Sequence, residues 1–189
     1  GTVAQLADDV APLEALKAPR GTYFVTGNHE YFVEPEAWLA HLRKLGIRVL
    51  ENDRVTIGKP GAALELAGVN DHDAARLSPA SAPDVKKALR GRDPRHAVVL
   101  LAHQPRVIDD AAAADVGLVL SGHTHGGQIW PWYYLVYLQQ PFVRGLHRRK
   151  ATHIYVSSGT GFWGPPMRLG STAEITLVTL RRASEQQRA

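Results

Sequence analysis

Two short aliphatic runs limit how this chain can fold more than any other feature. "HAVVLLAHQP" (96–105) and "VGLVLSGHTHGG" (116–127) each hold a few consecutive apolar residues and then break into a polar loop. The first run, short and without alternation, reads as a strand buried on both faces, as in a parallel sheet, and the second repeats its pattern. "GTYFVTGNHE" (21–30) has a similar form, with a strand over Thr22–Val25. Helical stretches separate such segments. Residues 3–17 form one, in which Pro12 starts a second short helix. "EPEAWLAHLRKLG" (34–46) has Pro35 in its first turn and Gly46 as its stop, and "APDVKKALRG" and "PRVIDDAAAAD" follow further on. "RVLEND" predicts a strand, and residues 54–71 predict a hairpin turning at Lys59–Gly61. "THIYVSSGTG" and "EITLVTL" (174–180) predict two more strands. The economical reading is a single α/β domain over residues 1–180 with a frayed polar tail over 181–189.

Composition narrows the chemistry. The 189 residues, 44% hydrophobic and 21% charged, suit one ordinary globular core. No apolar stretch reaches the ~18–20 residues of a membrane span. Cysteine is absent, so any metal must be held by nitrogen and oxygen ligands. The formal charge of +4 suits anionic substrates. The opening "GTVAQLADDV" has neither a signal peptide's pattern nor an initiator methionine, and reads as the start of a fragment or a processed chain.

The three polar loops, "GNHE" (27–30), "AHQP" (102–105) and "GHTHGG" (122–127), all follow strands. Sites in α/β sheets form beyond the carboxyl ends of strands, so the loops can meet at one edge. They would gather Asn28, His29, His103, His123 and His125. If the segment is extended, His123 and His125 lie two apart and face one point, and the flanking glycines permit tight turns. Imidazole nitrogen and amide oxygen suit Zn, Mn or Fe rather than Ca. Taken singly, His103 could be an ordinary hydrogen-bonded residue and "GNHE" an ordinary turn. His41, His72, His96, His147 and His153 read as ordinary helix, loop or strand-start residues.

Together, "GNHE", "AHQP" and "GHTHGGQ", in this order, resemble the last three motifs of the calcineurin-like metallophosphoesterase family. The flanking "LSGHTHGGQIWP" and "YVSSGTGFWGPPMRLGSTAEITLVTL" are similar to its YkuE-like subgroup. The resemblance implies an αββα sandwich of two mixed sheets flanked by helices. It also implies a phosphoesterase that hydrolyses phosphodiesters or phosphomonoesters by water activated at two divalent ions, Mn, Fe or Zn. Asn28, His103 and His123 would bind the second metal and His125 the first. His29 would be catalytic, lying beside the attacked phosphate to stabilise its charge or protonate the leaving oxygen. The family pattern opens with an Asp-x-His and a Gly-Asp motif, and neither precedes "GNHE" here. The expectation is therefore of an N-terminally incomplete domain that alone binds at most one metal weakly and is essentially inactive.

Other H-x-H enzymes fit less well. The amidohydrolase motif lies early in a long barrel, and the metallo-β-lactamase motif needs an aspartate where this chain has Gly127 and Gln128. Asn70 and Asp71, in "GVNDHD", and Arg168, in "PPMRLG", are weaker candidates for holding a phosphate. Residues 129–150 place Trp130, Trp132, Tyr133, Tyr134, Tyr137 and Phe142 before Arg144, Arg148, Arg149 and Lys150. Such a segment suits an anionic membrane surface and location at a membrane or cell envelope, or else simple packing beside the site. Two other functions remain open: a nuclease of the same superfamily, and a catalytically silent metal-binding or scaffolding domain. No basic stripe with interleaved aromatics suits single-strand stacking, so no specific nucleic acid is expected.

Overall fold

The computed structural model describes residues 1–59 and 61–181. Its centre is a six-stranded mixed sheet ordered β3-β4-β5-β6-β8-β7, from β3 (Asp53–Lys59), β4 (Ala62–Gly68), β5 (Ala97–Leu101), β6 (Leu118–Ser121), β7 (Gly145–Arg149) and β8 (Thr152–Val156). The inner four strands run parallel, and β3 and β7 pair antiparallel at the two edges. A second, parallel pair joins β1 (Tyr23–Phe24) to β2 (Arg48–Val49). The fold is α/β, as the alternation of elements predicts.

Helices account for one buried face. Val98, Leu100, Val119, Ile154 and Val156 alternate along the inner strands and pack with residues of α3 (Val85–Ala88) and α4 (Ile108–Ala113). The opposite face is covered less completely than the continuous apolar runs predict. Leu101, Leu120 and Tyr155 are only half-buried, along a groove lined also by Tyr23, Phe24 and Val178. An unbroken aliphatic run specifies apolar surroundings without specifying how much cover each face receives.

The helix expected over 3–17 forms as α1 (Val3–Val10) with a 3₁₀ turn over Ala11–Ala15. α2 (Pro35–Lys44) follows the "GNHE" loop and buries Leu39 and Leu42. The turn of the β3–β4 hairpin includes residue 60, outside the described residues, as are 182–189 of the expected tail. Two expectations need correction. Residues 174–180 form no strand: both edges of β8 are already taken by β6 and β7, and Ile175 and Leu177 stand 92% exposed. Conversely, the basic stretch before residue 150 contains edge strand β7, whose polar composition hides it from a hydrophobicity reading.

Candidate functional site

The sheet register brings two histidine loops together. Leu101 pairs with Leu120, and past the strand ends the ladder continues: Ala102 N–H donates to Leu120 O (3.1 Å) and Gly122 N–H to His103 O (3.0 Å). His103 Nε2 therefore lies 3.2 Å from His123 Nδ1, with the rings edge to face. Asn28, following β1, places Oδ1 3.1 Å from the same His103 nitrogen. Gly27 makes this approach possible, because a Cβ there would stand 3.0 Å from His103 Cε1 and Nε2. The Glu30 carboxylate accepts the Gly27 N–H and fixes the turn.

The H-x-H segment is not extended. His123 and His125 have φ values of 69° and 51°, in the left-handed region, and a 3₁₀ turn covers His125–Gly127. This corrects the expectation of an extended segment, although both side chains line one cavity. His123 joins His103, while His125 Nδ1 faces Gly161 O at 3.3 Å. Thr124 holds this geometry by donating its hydroxyl to Val143 O (2.6 Å). His29, exposed, and His125 line the same cavity of about 410 Å³ as Asn28, His103 and His123.

Burial favours the neutral form of His103, His123 and His125. It lowers the pKa of His103 to about 3, with His123 adding to the effect. Burial, then neighbouring His125, takes His123 down to about 4, and burial also lowers His125. Among the described residues, no three His, Cys, Asp or Glu side chains are gathered to hold a metal ion. The trio that meets is Asn28 Oδ1, His103 Nε2 and His123 Nδ1, a nitrogen and oxygen set of the kind Zn, Mn or Fe accepts. A lone N–H on His103 can serve only one of its two facing atoms, so a cation fits this junction better than hydrogen bonding alone. No carboxylate belongs to the trio, and its ligand set is partial.

The weaker candidates are engaged elsewhere. Asn70 donates its amide to Ser81 O (2.9 Å), and Asp71 caps the next turn at Asp73 N (2.9 Å) and accepts from Gln104 (3.0 Å). Neither lines the cavity. The Arg168 guanidinium donates to the carbonyls of His125 (3.0 Å) and Ser158 (2.8 Å), among others, clamping the loops around His125. Residues 129–150 divide in two. β7 starts opposite Val156, at the site edge, and runs away to Arg149 opposite Thr152. Arg144 lies with Trp130, Tyr133 and Tyr134, and Phe142 stacks on His147, whereas Arg149 and Lys150 stand at the far end of β7.

The sequence reading missed the cavity's other wall. Trp132, Leu135, Val136, Gln139 and Gln140 face the histidines from α5 (Tyr133–Val136) and its flanking turns. Their spacing of three, four, seven and eight is a helical face and was a usable signal. Trp163 completes the wall, its backbone held by Gln128, which accepts from Trp163 N–H (2.8 Å) and donates to Trp163 O (2.8 Å).

Imidazole and amide donors beyond the carboxyl ends of parallel strands form a layout that can hold a metal ion. Curated proteins share the sequence over most of its length. The chain is 46% identical to a transmembrane protein with metallophosphoesterase domain from Bos taurus, over 92% of this chain and 42% of that one. It is 43% identical to a metallophosphoesterase of Helicobacter pylori, over 89% of this chain and 45% of that one. The sulfate thiohydrolase SoxB of Thermus thermophilus superposes with a TM-score of 0.48 at 18% identity, over 71% of this chain and 27% of that one. No protein-family model matches the chain. The chain belongs to the metallophosphoesterases, and it spans less than half the length of these two curated relatives.

Proposed function

We propose that this chain carries the histidine-rich part of a metal-dependent phosphoesterase site, acting on a phosphodiester or phosphomonoester. The observation that supports it is the meeting of Asn28 Oδ1, His103 Nε2 and His123 Nδ1 at one end of an open cavity. A divalent ion held there supplies Lewis-acid activation of water and of the phosphoryl group. Neutral imidazole and amide donors leave its charge uncancelled for an anionic ester. His125 flanks the position, its ring set by Gly161 O and its backbone carbonyl by Arg168. His29 stands at the cavity beside Asn28 and offers a ring N–H to the leaving oxygen. As the ester P–O bond breaks, that proton passes to the departing alkoxide, and the imidazole recovers one from the incoming water. Two metals, and the preference among Mn, Fe and Zn, are the family's implication for the complete site.

Hydrolysis of bis(4-nitrophenyl) phosphate and 4-nitrophenyl phosphate by the full-length protein that carries this chain, assayed with Mn, Zn and Fe in turn, tests the proposal. Metal-dependent release of nitrophenolate that His103→Ala eliminates supports it. Metal binding without turnover of either ester would instead support the silent-domain reading.

A further inference from the structure

The cavity has two unlike sides. Asn28 and the histidines form one, whereas Trp132, Leu135, Val136 and Trp163 form the other. These apolar side chains are not core residues that happen to reach a cavity: Leu135 is 60% exposed, Trp132 53% and Trp163 46%. A solvent-facing wall of large apolar groups costs free energy unless something covers it, and here it lies directly beside donors suited to a phosphate-bound metal. Two amides, Gln139 and Gln140, also line it, and Gln140 donates to Gln104 Oε1 (3.0 Å). Lysine and arginine side chains are absent from the described lining, and Arg148, Arg149 and Lys150 lie towards the far end of β7. Electrostatic attraction to a second anionic group is therefore not what this wall provides.

We infer that the natural substrate is an amphiphilic phosphate ester, whose hydrocarbon part lies along Trp132, Leu135, Val136 and Trp163 while its phosphate reaches the His103–His123 junction. This rests on the phosphoesterase reading above and adds the substrate class. The two ends of such a molecule match the two sides of the cavity. Each methylene buried against the wall strengthens binding ~four-fold, so a handful suffices to make chain length the main determinant of affinity. The same stretch also exposes Leu138 (81%), outside the cavity lining, which provides a nearby control position. A long-chain phosphate could come from a lipid bilayer or from a free amphiphile, and the shared chemistry is the alkyl phosphate itself.

The test measures binding first, because it needs no turnover. Trp132 and Trp163 report cavity occupancy by fluorescence as the protein is titrated with ethyl phosphate, dodecyl phosphate below its micelle-forming concentration, and adenosine monophosphate. The expected result is at least ten-fold tighter binding of dodecyl than of ethyl phosphate. Leu135→Asp should reduce that ratio to within about two-fold, and Leu138→Asp should leave it intact. Equal binding of the two alkyl phosphates, or tighter binding of the nucleotide than of dodecyl phosphate, would overturn the inference. Turnover of ethyl and dodecyl 4-nitrophenyl phosphates is measured alongside. Chain-length preference in binding, with neither ester hydrolysed, would defeat the phosphoesterase reading and leave an alkyl-phosphate site. Hydrolysis of both esters at equal kcat/KM without preferential binding would do the reverse. Addition of phosphatidylcholine vesicles carrying phosphatidic acid separates the sources: co-sedimentation that Leu135→Asp weakens assigns the bilayer, and its absence with dodecyl phosphate bound assigns the free amphiphile.

Discussion

His123 Nδ1 lies 3.2 Å from His103 Nε2 although twenty residues separate them, because their loops extend the β5–β6 ladder side by side. The arrangement depends on the sheet more than on either loop. Parallel pairing of Leu101 with Leu120 sets the two histidines level with each other. Asn28 then needs only a close approach from β1, which Gly27 allows.

His29 lies outside this junction. It lines the cavity yet takes no part in the Asn28–His103–His123 contacts. His29→Ala should lower kcat by ~10²–10⁴-fold with metal content unchanged. Steady-state kinetics paired with metal analysis of the same preparation checks this; a parallel loss of metal would make His29 a ligand.

Arg168 is predicted to act through the loops it clamps. Its guanidinium fork reaches several carbonyls, including His125 O and Ser158 O, a task a lysine ammonium cannot reproduce. Arg168→Lys should therefore lower the melting temperature nearly as much as Arg168→Ala, with a loss of about 1–3 kcal/mol. Full stability in the lysine variant, combined with normal KM, would return Arg168 to a charge-only role at the phosphate.

Gly127 has φ near +83°, and a Cβ there would stand 2.1 Å from Tyr133 Cβ and 2.9 Å from its Cα. Gly127→Ala should cost about 3 kcal/mol or more and displace the wall that carries Leu135. Denaturant unfolding gives the stability change, and loss of alkyl-phosphate binding gives the displacement.

Glu65 supplies a pH prediction remote from the site. Its carboxylate is enclosed between Arg54 (2.7 Å), Thr56 and His96 (2.8 Å). Burial pushes its pKa up, but the hydrogen bonds from His96, Thr56 and Arg54 outweigh this, so the net shift is downward. A carboxyl lowered in the folded state stabilises above its ordinary range, and that stabilisation is lost as pH falls through the folded value. Acid melts should show it: Glu65→Gln should be less stable by about 1–3 kcal/mol at pH 7, with the gap closing as pH falls below the carboxylate range. A constant gap down to strongly acidic pH would contradict this.

The sequence carried the strand-end loops legibly because each follows a short run rich in β-branched, aromatic or aliphatic residues. It misjudged the backbone of the H-x-H pair, because alternation applies only to extended backbone, although both histidines line the cavity. His123 and His125 adopt left-handed conformations that residue type alone does not announce. "EITLVTL" alternates well enough for a strand but finds no free edge beside β8, while "GLHRR" lacks a strand's composition and finds one. Edge pairing is a property of the assembled sheet. The wall of Trp132, Leu135 and Val136 was in principle visible as a helical face, although only Leu135 and Val136 of it lie within the four-residue α5.

Equilibrium dialysis of the full-length protein that carries this chain against Mn and Zn, with diester turnover measured on the same samples, tests the central claim most directly. Wild-type protein is compared with His103→Ala and His123→Ala. The account predicts that bound metal and turnover fall together in both variants, by about 100-fold or more in turnover, since even residues behind metal ligands cost 10–100-fold. Circular dichroism should show the fold retained. Undiminished metal binding and turnover in both variants would contradict it.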